Sequence, residues 1–301
     1  MNPVLVEKEP PLAWLTLNRP EVRNALSLEM LNSISGALDQ ISADDSVSIL
    51  ILRANGPVFS SGHDIREMTG KHENVNELRE IFAACNRMML KIHELPQPVI
   101  AQVNGVATAA GCQLVAACDL AVAETGARFA TPGVKIGLFC STPMVPLVRT
   151  IGRRRAMEML LSGRFVSAEE ALQFGLVNRI TAPEKLYSET RDWALELAQA
   201  SPFVLALGKK AFYTQVDLDE KSAYEYAKGI ITMNCMAEDA FEGMSAFLEK
   251  RKPEWKSGRK AGRNPAAESR RTLRRRICRY GPVSALSATL RWIFYNPLIL
   301  L

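Results

Sequence analysis

Histidine is scarce in this sequence, and its six cysteines follow no regular spacing. The three histidines, His63, His72 and His93, include no pair four residues apart, and no cysteine accompanies them at a metal-ligand spacing. Zinc sites are built from such closely spaced ligands, so we predict no metal. The cysteines also lack the dense framework of a small disulfide-bonded domain, and we interpret them as reduced thiols in the core. They are Cys85, Cys112, Cys118, Cys140, Cys235 and Cys278.

Long apolar runs are absent before residue 257, where no run reaches 18 apolar residues. Because a membrane-spanning helix needs about 20 such residues, that part of the sequence is predicted to contain no span. The first 20 residues show neither a basic segment with an apolar stretch nor an Arg- and Ser-rich amphipathic leader. We therefore expect a soluble cytoplasmic protein, or one of the mitochondrial matrix in a eukaryote.

Acidic residues are rare in one region, the C-terminal tail. Residues 257–301 contain ten Lys or Arg and one acid, Glu268, a net charge of +9; the whole chain carries +5, so the remainder carries −4. A basic run of this kind binds RNA or anionic lipid non-specifically, and we predict no specific nucleic acid. The apolar end of the tail is interrupted by Pro282, Arg291 and Pro297. It is at most a weak membrane-surface or docking segment, and we favour an extension without a selected function.

Strand-like and helix-like patterns alternate through the first half and predict an α/β fold. The run 47–54 is continuously apolar, as in a strand buried on both faces. Ser27 is a predicted helix N-cap, and Ser167 with Glu170 forms a predicted capping box. Residues 74–94 predict an amphipathic helix. Its buried face is predicted to contain Val75, Leu78, Phe82, Cys85, Met89 and Ile92.

These patterns divide the chain into three segments. Residues 1–182 contain the alternating strands and helices, residues 183–256 are almost wholly helical, and residues 257–301 form the basic tail. The order is typical of an α/β domain with a trailing helical segment. The tail is predicted to be disordered. The pattern alone does not give the order of the strands in the sheet.

Two loops concentrate small residues at the start of a helix. One strand is predicted to end at Gly56-Pro57, and the chain then passes through Ser60-Ser61-Gly62 before the helical stretch DIREM. Another is predicted to end at Asn104-Gly105, and a helix begins near Ala109-Ala110-Gly111 in VNGVATAAGCQL. Small residues at such a start leave unpaired backbone N–H groups accessible to a ligand. Two such donors that converge on one oxygen form an oxyanion hole. For the second loop alone, a tight contact between helix and sheet is an equally good explanation.

Together, in this order and at this spacing, the two loops resemble the crotonase family, also called the enoyl-CoA hydratase/isomerase family. The resemblance covers residues 3–256 and implies a ClpP-like spiral of ββα units with a helical C-terminal segment. It also implies an acyl-CoA thioester as substrate. The matching segments are LNRPEVRNALS (17–27), GPVFSSGHDIREM (56–68), QPVIAQVNGVATAAGCQLVAACDLAVA (97–123), RFATPGVKIGL (128–138) and EGMSAFLEKRKPEW (242–255).

The resemblance also assigns roles to residues. It implies that the backbone amides of His63 and Ala110 hold the thioester oxygen and stabilise an enolate. It implies no cofactor beyond the coenzyme A of the substrate, and assembly into trimers or pairs of trimers. The positions that it assigns to coenzyme A are Arg23, Ala25, Ser61, Ile65, Gly111, Phe247 and Lys250.

The sequence departs from the family's hydratases at two positions. These enzymes place a glutamate at the position of Gln113 and another at the position of Gly133. An amide can hold a water or a carbonyl through hydrogen bonds, but it cannot take a proton. A positioned acid or base contributes roughly 10²–10⁴ in rate, so we do not expect ordinary hydration of a 2-enoyl-CoA.

Other side chains near these motifs have both a functional and a structural interpretation. Ser141 lies where some family members place a catalytic aspartate, but we favour a helix N-cap before Pro143. Cys140 is interpreted as an apolar lining residue unless the helix start favours its thiolate. His63 has an imidazole as well as a backbone amide. Its side chain acts in the site, points to solvent or stacks on the nucleotide.

The carboxylates of the same segments are interpreted as structural. Asp64 and Glu67 begin the helix after the first loop and are predicted to cap it and to lie at the surface. Asp119 and Glu124 flank a predicted strand, where we assign them no chemistry.

Three functions follow as hypotheses. The first is an acyl-CoA enzyme of lipid metabolism, an isomerase or a thioester hydrolase, which stabilises an enolate without the hydratase glutamates. The second is a catalytically silent protein that binds acyl-CoA, and the third is an interaction protein that acts through its basic tail. We favour the first, because the backbone donors are the costly part of such a site and one further acid–base group suffices.

Overall fold

The computed structural model describes residues 2–256, so the predictions for the tail at 257–301 lie outside the described residues. Two compact units are present, the first ending at Gln199 and the second beginning at Ala200. The segment predicted as purely helical begins at 183, but the helix Leu186–Leu197 belongs to the first unit because it packs against three of its strands.

The strands of the first unit form two sheets. The larger has the order β1-β2-β3-β5-β7-β10 and the smaller the order β4-β6-β8-β9. The strands are β1 (Val4–Glu9), β2 (Leu12–Leu17), β3 (Ile49–Ala54), β4 (Val58–Ser60), β5 (Val99–Val103), β6 (Val106–Thr108), β7 (Leu120–Glu124), β8 (Arg128–Ala130), β9 (Val166–Ser167) and β10 (Arg179–Thr181).

Eight α-helices accompany these strands in the first unit. They are α1 (Leu28–Ala43), α2 (Ile65–Gly70), α3 (Val75–Glu94), α4 (Ala110–Ala117), α5 (Met144–Ile151), α6 (Arg153–Ser162), α7 (Ala168–Phe174) and α8 (Leu186–Leu197). Short 3-10 segments occupy Pro20–Val22, Pro132–Ile136 and Pro183–Lys185. The second unit contains α9 (Pro202–Gln215), α10 (Glu220–Cys235) and α11 (Glu238–Glu249). No helix of residues 2–256 is long and apolar enough to cross a membrane.

A repeated connection links the two sheets. Each of the pairs β3/β4, β5/β6 and β7/β8 places its first strand in the larger sheet and its second in the smaller, and a helix follows. The central strands run parallel, whereas β1 runs antiparallel to β2 with Val4 opposite Leu17. This is the predicted α/β spiral of ββα units, and the prediction is confirmed.

Burial explains why the central strands are mostly apolar in sequence. Every residue of β2 and β5 is buried, since the helix α8 packs against β3, β5 and β7 while α1 packs against β1, β2 and α3. Neither face of such a strand is open to solvent, so its sequence does not alternate between apolar and polar residues. The main core lies between these sheets and helices, from Val4 to Val177.

The predicted helix signals are largely confirmed. Ser27 accepts a hydrogen bond from the Met30 amide, and Ser167 and Glu170 form the capping box. The buried face of α3 differs, because Val75 at its first residue is 64% exposed. The residues that α3 buries are Ile81, Ala84, Cys85, Met88, Met89 and Ile92. Cys235 is exposed, so its interpretation as a core thiol is wrong, while Cys85, Cys112, Cys118 and Cys140 are buried.

Candidate active site

The loop from β4 to α2 is closed by Gly62. Its φ is +91°, and a Cβ there would lie 2.8 Å from the Ala109 Cβ and 3.1 Å from the Ala110 nitrogen. A side chain is therefore excluded both by backbone strain and by the second loop. The Gly62 carbonyl accepts a hydrogen bond of 2.7 Å from the Leu26 amide. The amide of the next residue, His63, is consequently held beside the start of α4.

The loop from β6 to α4 is equally constrained. Ala109 adopts φ 51° and ψ −119°, a conformation that glycine adopts easily and alanine rarely. Its amide donates to the Ala130 carbonyl at 2.9 Å, which ties the helix start to β8. A Cβ on Gly111 would overlap the Ser60 carbonyl oxygen. The two loops thus pack backbone against backbone, which is why both contain small residues.

Two backbone donors remain unused where these loops meet. Within residues 2–256, the amide N–H groups of His63 and Ala110 donate to no protein acceptor. Ala110 is the first residue of α4 and so has no partner within its helix. Buried amides are normally paired, so a pair of free donors at adjoining loops is suited to an oxygen of a ligand.

Residues that the sequence did not single out hold the first loop in place. Asn24 is fully buried, with φ 50°, and donates to the carbonyls of Asn55 and Val58 at 2.9 and 2.8 Å. The Ser60 hydroxyl donates to the Asn24 carbonyl at 2.8 Å and accepts from the Gly62 amide at 3.3 Å. An asparagine in the turn between a 3-10 segment and a helix is a weak sequence signal, since asparagine tolerates positive φ.

The predicted coenzyme A positions of the first unit lie on the same backbone. Ser61 donates its amide to the Arg23 carbonyl at 3.0 Å, and its own carbonyl accepts from the Thr108 hydroxyl at 3.1 Å. Ala25 is buried two residues after Arg23, and Ile65, which begins α2, is 48% exposed. The structure thus joins Arg23 and Ser61 directly.

The predicted contacts of the second unit lie at the end of α11. Phe247 is 82% exposed. Lys250 follows the helix with φ 57°, and its amide donates to the Phe247 carbonyl at 3.3 Å. Both side chains are therefore available to a ligand or partner.

Gln113 is buried on α4, one turn from Ala110. The side chain is 3% exposed, and its Oε1 has no hydrogen-bond partner among the described residues. A buried amide oxygen without a partner costs free energy unless a ligand or water satisfies it. The position therefore offers a hydrogen bond but no titratable group.

Gly133 lies in the 3-10 segment Pro132–Ile136, and its side-chain space is already occupied. A Cβ there would lie 2.8 Å from the Leu138 carbonyl oxygen and 2.9 Å from the Cys140 sulfur. The Gly133 amide also donates to that sulfur. The cysteine therefore fills the volume where a longer residue at 133 would begin.

The cysteines beside the site are poor acid–base groups. Burial raises the pKa of the Cys112 thiol to about 12. Burial likewise raises the pKa of the Cys140 thiol. The hydrogen bond from the Gly133 amide lowers that pKa by a smaller amount. Both therefore stay protonated at neutral pH, and the structure places Cys140 as a packing residue.

Ser141 does not cap a helix. It is exposed, and its hydroxyl donates to the Phe139 carbonyl at 3.2 Å. The N-cap of α5 is Pro143, which makes no side-chain cap bond. The N-cap interpretation is wrong because α5 begins at Met144, two residues later than an N-cap at Ser141 predicts. Ser141 instead closes the turn before the helix.

Each carboxylate near the motifs holds backbone. Asp64 is the N-cap of α2 and accepts from the amides of Arg66 and Glu67, while Glu67 accepts from the Leu28 amide at 2.9 Å. Two further carboxylates tie sheet ends: Asp119 to the Val99 amide and Glu124 to the Gly105 amide. Their structural interpretation is confirmed.

The His63 imidazole is half-buried, and its Nε2 is shielded from solvent. Its Nδ1 lies 3.3 Å from the Leu26 carbonyl oxygen, and its ring meets Phe82 edge-on with centroids 5.3 Å apart. Burial lowers the pKa of this imidazole, against the Leu26 carbonyl and Glu67, which raise it. The ring is thus neutral near pH 7. Across residues 2–256, no group of three or more His, Cys, Asp or Glu is arranged to hold a metal ion.

Comparison with known proteins agrees with this architecture. A family model described as enoyl-CoA hydratase/isomerase matches residues 7–259. Enoyl-CoA hydratase domain-containing protein 3, mitochondrial, of Danio rerio is 47% identical over 83% of this chain and 86% of its own. The crystal structure of human enoyl-coenzyme A hydratase domain-containing protein 3 superposes with a TM-score of 0.81 at 43% identity, covering 84% of this chain and all of that one. The crystal structure of an enoyl-CoA hydratase of Mycobacterium smegmatis superposes with a TM-score of 0.82 at 47% sequence identity. The match covers 84% of this chain and 98% of that one. The chain therefore belongs to the enoyl-CoA hydratase/isomerase, or crotonase, family.

Proposed function

We propose that this protein binds an acyl-CoA thioester and stabilises its enolate between the amides of His63 and Ala110. The observation that carries the proposal is that these two donors, on adjoining loops, are both free. Charge that develops on the thioester oxygen would meet two fixed dipoles that need no reorganisation. Proteins of this family generally act on acyl-CoA, and fatty-acid metabolism is the expected setting.

The reaction we propose is not ordinary hydration. Water addition to a 2-enoyl-CoA needs one group that activates the water and one that supplies a proton. Gln113 carries no titratable proton, and Gly133 has a sulfur and a carbonyl oxygen where a side chain would start. Isomerisation and thioester hydrolysis do not require an acid–base group at both Gln113 and Gly133. We therefore propose one of these two reaction types.

A catalytically silent acyl-CoA-binding protein is the second candidate. The specific observation in its favour is that both glutamate positions lack an acid, while the backbone donors are retained. Such a protein would sequester or sense thioesters with no turnover. The third candidate, an interaction protein acting through residues 257–301, has no support from the described residues.

The proposal includes the coenzyme A moiety as part of the substrate and no separate cofactor. Its candidate contacts in the first unit are Arg23, Ala25, Ser61, Ile65 and Gly111. In the second unit, the exposed ring of Phe247 suits adenine and the charge of Lys250 suits a phosphate.

Self-association is part of the proposal. Members of this family typically oligomerise, and the stretch from 136 to 165 exposes an unusual number of large apolar side chains. These are Ile136, Leu138, Phe139, Met144, Val145, Val148, Met157, Leu161 and Phe165. We propose a trimer or a pair of trimers, which light scattering on the full chain would distinguish from a monomer.

The location we propose is the mitochondrial matrix if the source is eukaryotic, and the cytoplasm otherwise. The word mitochondrial in the printed name of the Danio rerio relative supports the first alternative. Fractionation of cells that express the full chain would test it.

The decisive test compares a thioester with its thioether. Two hydrogen bonds to the thioester oxygen, each worth about 0.5–1.5 kcal/mol, predict that butyryl-CoA binds roughly tenfold or more tightly than S-butyl-CoA, which lacks that oxygen. Calorimetry on the purified full chain measures both affinities. Equal affinities would show that no oxyanion hole operates here.

Turnover separates the enzyme from the silent protein. The full chain is incubated with 2-enoyl-, 3-enoyl-, 3-hydroxyacyl- and saturated acyl-CoA, and products are followed by mass spectrometry. We expect conversion of a 3-enoyl-CoA or release of free coenzyme A. Binding with no product from any of these would establish the silent candidate, and hydration at ordinary hydratase rates would overturn the argument from Gln113 and Gly133.

A further inference from the structure

The His63 imidazole presents one free lone pair. Its Nδ1 lies 3.3 Å from the Leu26 carbonyl oxygen, and a carbonyl can only accept. Nδ1 must therefore carry the ring proton, which leaves Nε2 unprotonated in the neutral imidazole. This nitrogen can accept a hydrogen bond or a proton.

The same nitrogen is buried without a partner. Nε2 of His63 is shielded from solvent and makes no hydrogen bond with any of residues 2–256. The edge-on contact with Phe82 on α3 fixes the ring plane, so the lone pair keeps one direction. Folded proteins rarely leave a buried nitrogen unsatisfied without a functional reason.

No other side chain of the motif loops is free to move a proton. Asp64 and Glu67 bind amides at the start of α2 and before α1, and the thiols of Cys112 and Cys140 are held protonated by burial. Ser141 is exposed and bonded to a carbonyl. His63 alone among these groups combines a neutral titratable nitrogen with burial beside a free backbone donor.

We propose that Nε2 of His63 is the proton-transfer group of this site. It takes a proton from the carbon next to the thioester carbonyl: the C–H bond breaks, an N–H bond forms, and the electron pair moves to the thioester oxygen as an enolate. Return of the proton to the same carbon gives exchange, and return to the far end of an allylic system gives isomerisation. This rests on the proposed function, since the enolate would be held by the amides of His63 and Ala110.

The surroundings of the ring keep it a base at neutral pH. The charged group of α2 that acts on the ring is Glu67, which forms an ion pair with Lys71 at 3.3 Å. From α3 the ring meets Phe82, which is apolar, and from the segment before α1 it meets only the Leu26 carbonyl. Burial has a larger effect than the Leu26 carbonyl and Glu67, and it lowers the pKa of the His63 imidazole.

The test is exchange of the α-protons of butyryl-CoA in D2O, followed by mass spectrometry on the full chain. The variant His63→Asn keeps an N–H that can reach the Leu26 carbonyl and keeps the backbone amide, but removes Nε2. We expect exchange to fall at least 100-fold, with the affinity for butyryl-CoA within about threefold of the parent. His63→Gln serves as a second variant in case the first does not fold, and His72→Gln, at an exposed histidine, is the control.

Two further readouts distinguish a base from a structural residue. Added imidazole should restore part of the exchange in His63→Asn. The parent rate should rise with pH and level off at a pKa below 6.5, and this step should vanish in the variant. A parent that binds butyryl-CoA without exchanging its α-protons, or a His63→Asn protein that exchanges at the parent rate, overturns the proposal. A parent that binds no acyl-CoA refutes the proposed function instead.

Discussion

The donor half of the site and its acid half are built in opposite ways. The donor half, residues 60–63 and 109–111, consists of backbone held in place by two glycines that have no space for a side chain. The acid half, Gln113 and Gly133, lies on α4 and in the turn after β8. There the Gln113 amide oxygen has no partner within residues 2–256, and the Cys140 sulfur fills the space of a side chain at Gly133.

The difference lies in what holds each half in place. Donors made by backbone depend on packing around them, and that packing is tight on every side of Gly62 and Gly111. The acid positions have not been left as gaps, because Cys140 occupies the volume beside Gly133. The fold therefore leaves no space for a side chain at Gly62, Gly111 or Gly133, and it holds the backbone of the two loops in place.

The largest effect is expected from Gly111→Ala in the donor half. The added carbon would overlap the Ser60 carbonyl, and we expect the free energy of unfolding to fall by about 3 kcal/mol. Gly36→Ala in α1 is the matched control, since no atom lies within 4 Å of its added carbon. That control should gain roughly 1 kcal/mol from helix propensity. Urea denaturation measures both, and equal effects would show that the loops do not pack as described.

The acid half should show coupling between Gly133 and Cys140. Gly133→Ala alone is expected to cost about 2 kcal/mol, because its Cβ meets the sulfur at 2.9 Å. With Cys140→Ala present the sulfur is gone, so the same change should cost about 1 kcal/mol less. Denaturation of the four proteins of this double-mutant cycle gives the coupling energy. Strictly additive effects would mean that the cysteine does not fill the space of residue 133.

The imidazole of His63, in the donor half, makes stability depend on pH. Because the pKa of His63 is lower in the folded protein than its ordinary 6.5, the unfolded chain takes up the proton first as the pH falls. The stability that the neutral His63 imidazole allows is complete above pH 6.5. It is lost as the pH falls towards and through the pKa of the folded state. Each pH unit in that window costs about 1.4 kcal/mol. Denaturation between pH 8 and 5 should show a steeper loss in the parent than in His63→Asn, and parallel curves would contradict the lowered pKa.

The smallest effect concerns the strained residue of the donor half. Ala109→Gly relieves a positive φ, so the free energy of unfolding should rise by about 0.5 kcal/mol. Ala83→Gly inside α3 is the control, and it should lose roughly 1 kcal/mol because glycine disfavours a helix. Opposite signs for the two variants, measured by thermal denaturation, would confirm the strain. A loss at both positions would argue against it.

Much of the fold could be predicted from the chain, because its signals are local. The apolar run that became β3, the cap at Ser27 and the box at Ser167 each depend on neighbours within a few residues. The strands β4 and β6 were missed, since three residues are too few for a hydrophobic period. They matter because the two motif loops start from them.

The site was predictable where it depends on small residues and not where it depends on contacts. Glycine at 62 and 111 marks a close approach in any sequence, but positive φ at Ala109 has no local signal. Ser141 was misassigned because the helix starts two residues later than predicted, with Pro143 itself at the N-cap position. The partner of the His63 ring, Leu26, lies 37 residues away, beyond the reach of any local pattern.

The sequence by itself determined the family, the spiral of strands and helices, and the absence of titratable groups at Gln113 and Gly133. These follow from residue types at fixed spacings, which do not depend on how the chain is packed. Only the tertiary structure decided that the amides of His63 and Ala110 are both free, that Cys140 fills the space at Gly133, and that the imidazole is half-buried with an unused nitrogen. The physical reason is that hydrogen bonding and burial are properties of groups far apart in the chain, brought together only when the sheets form.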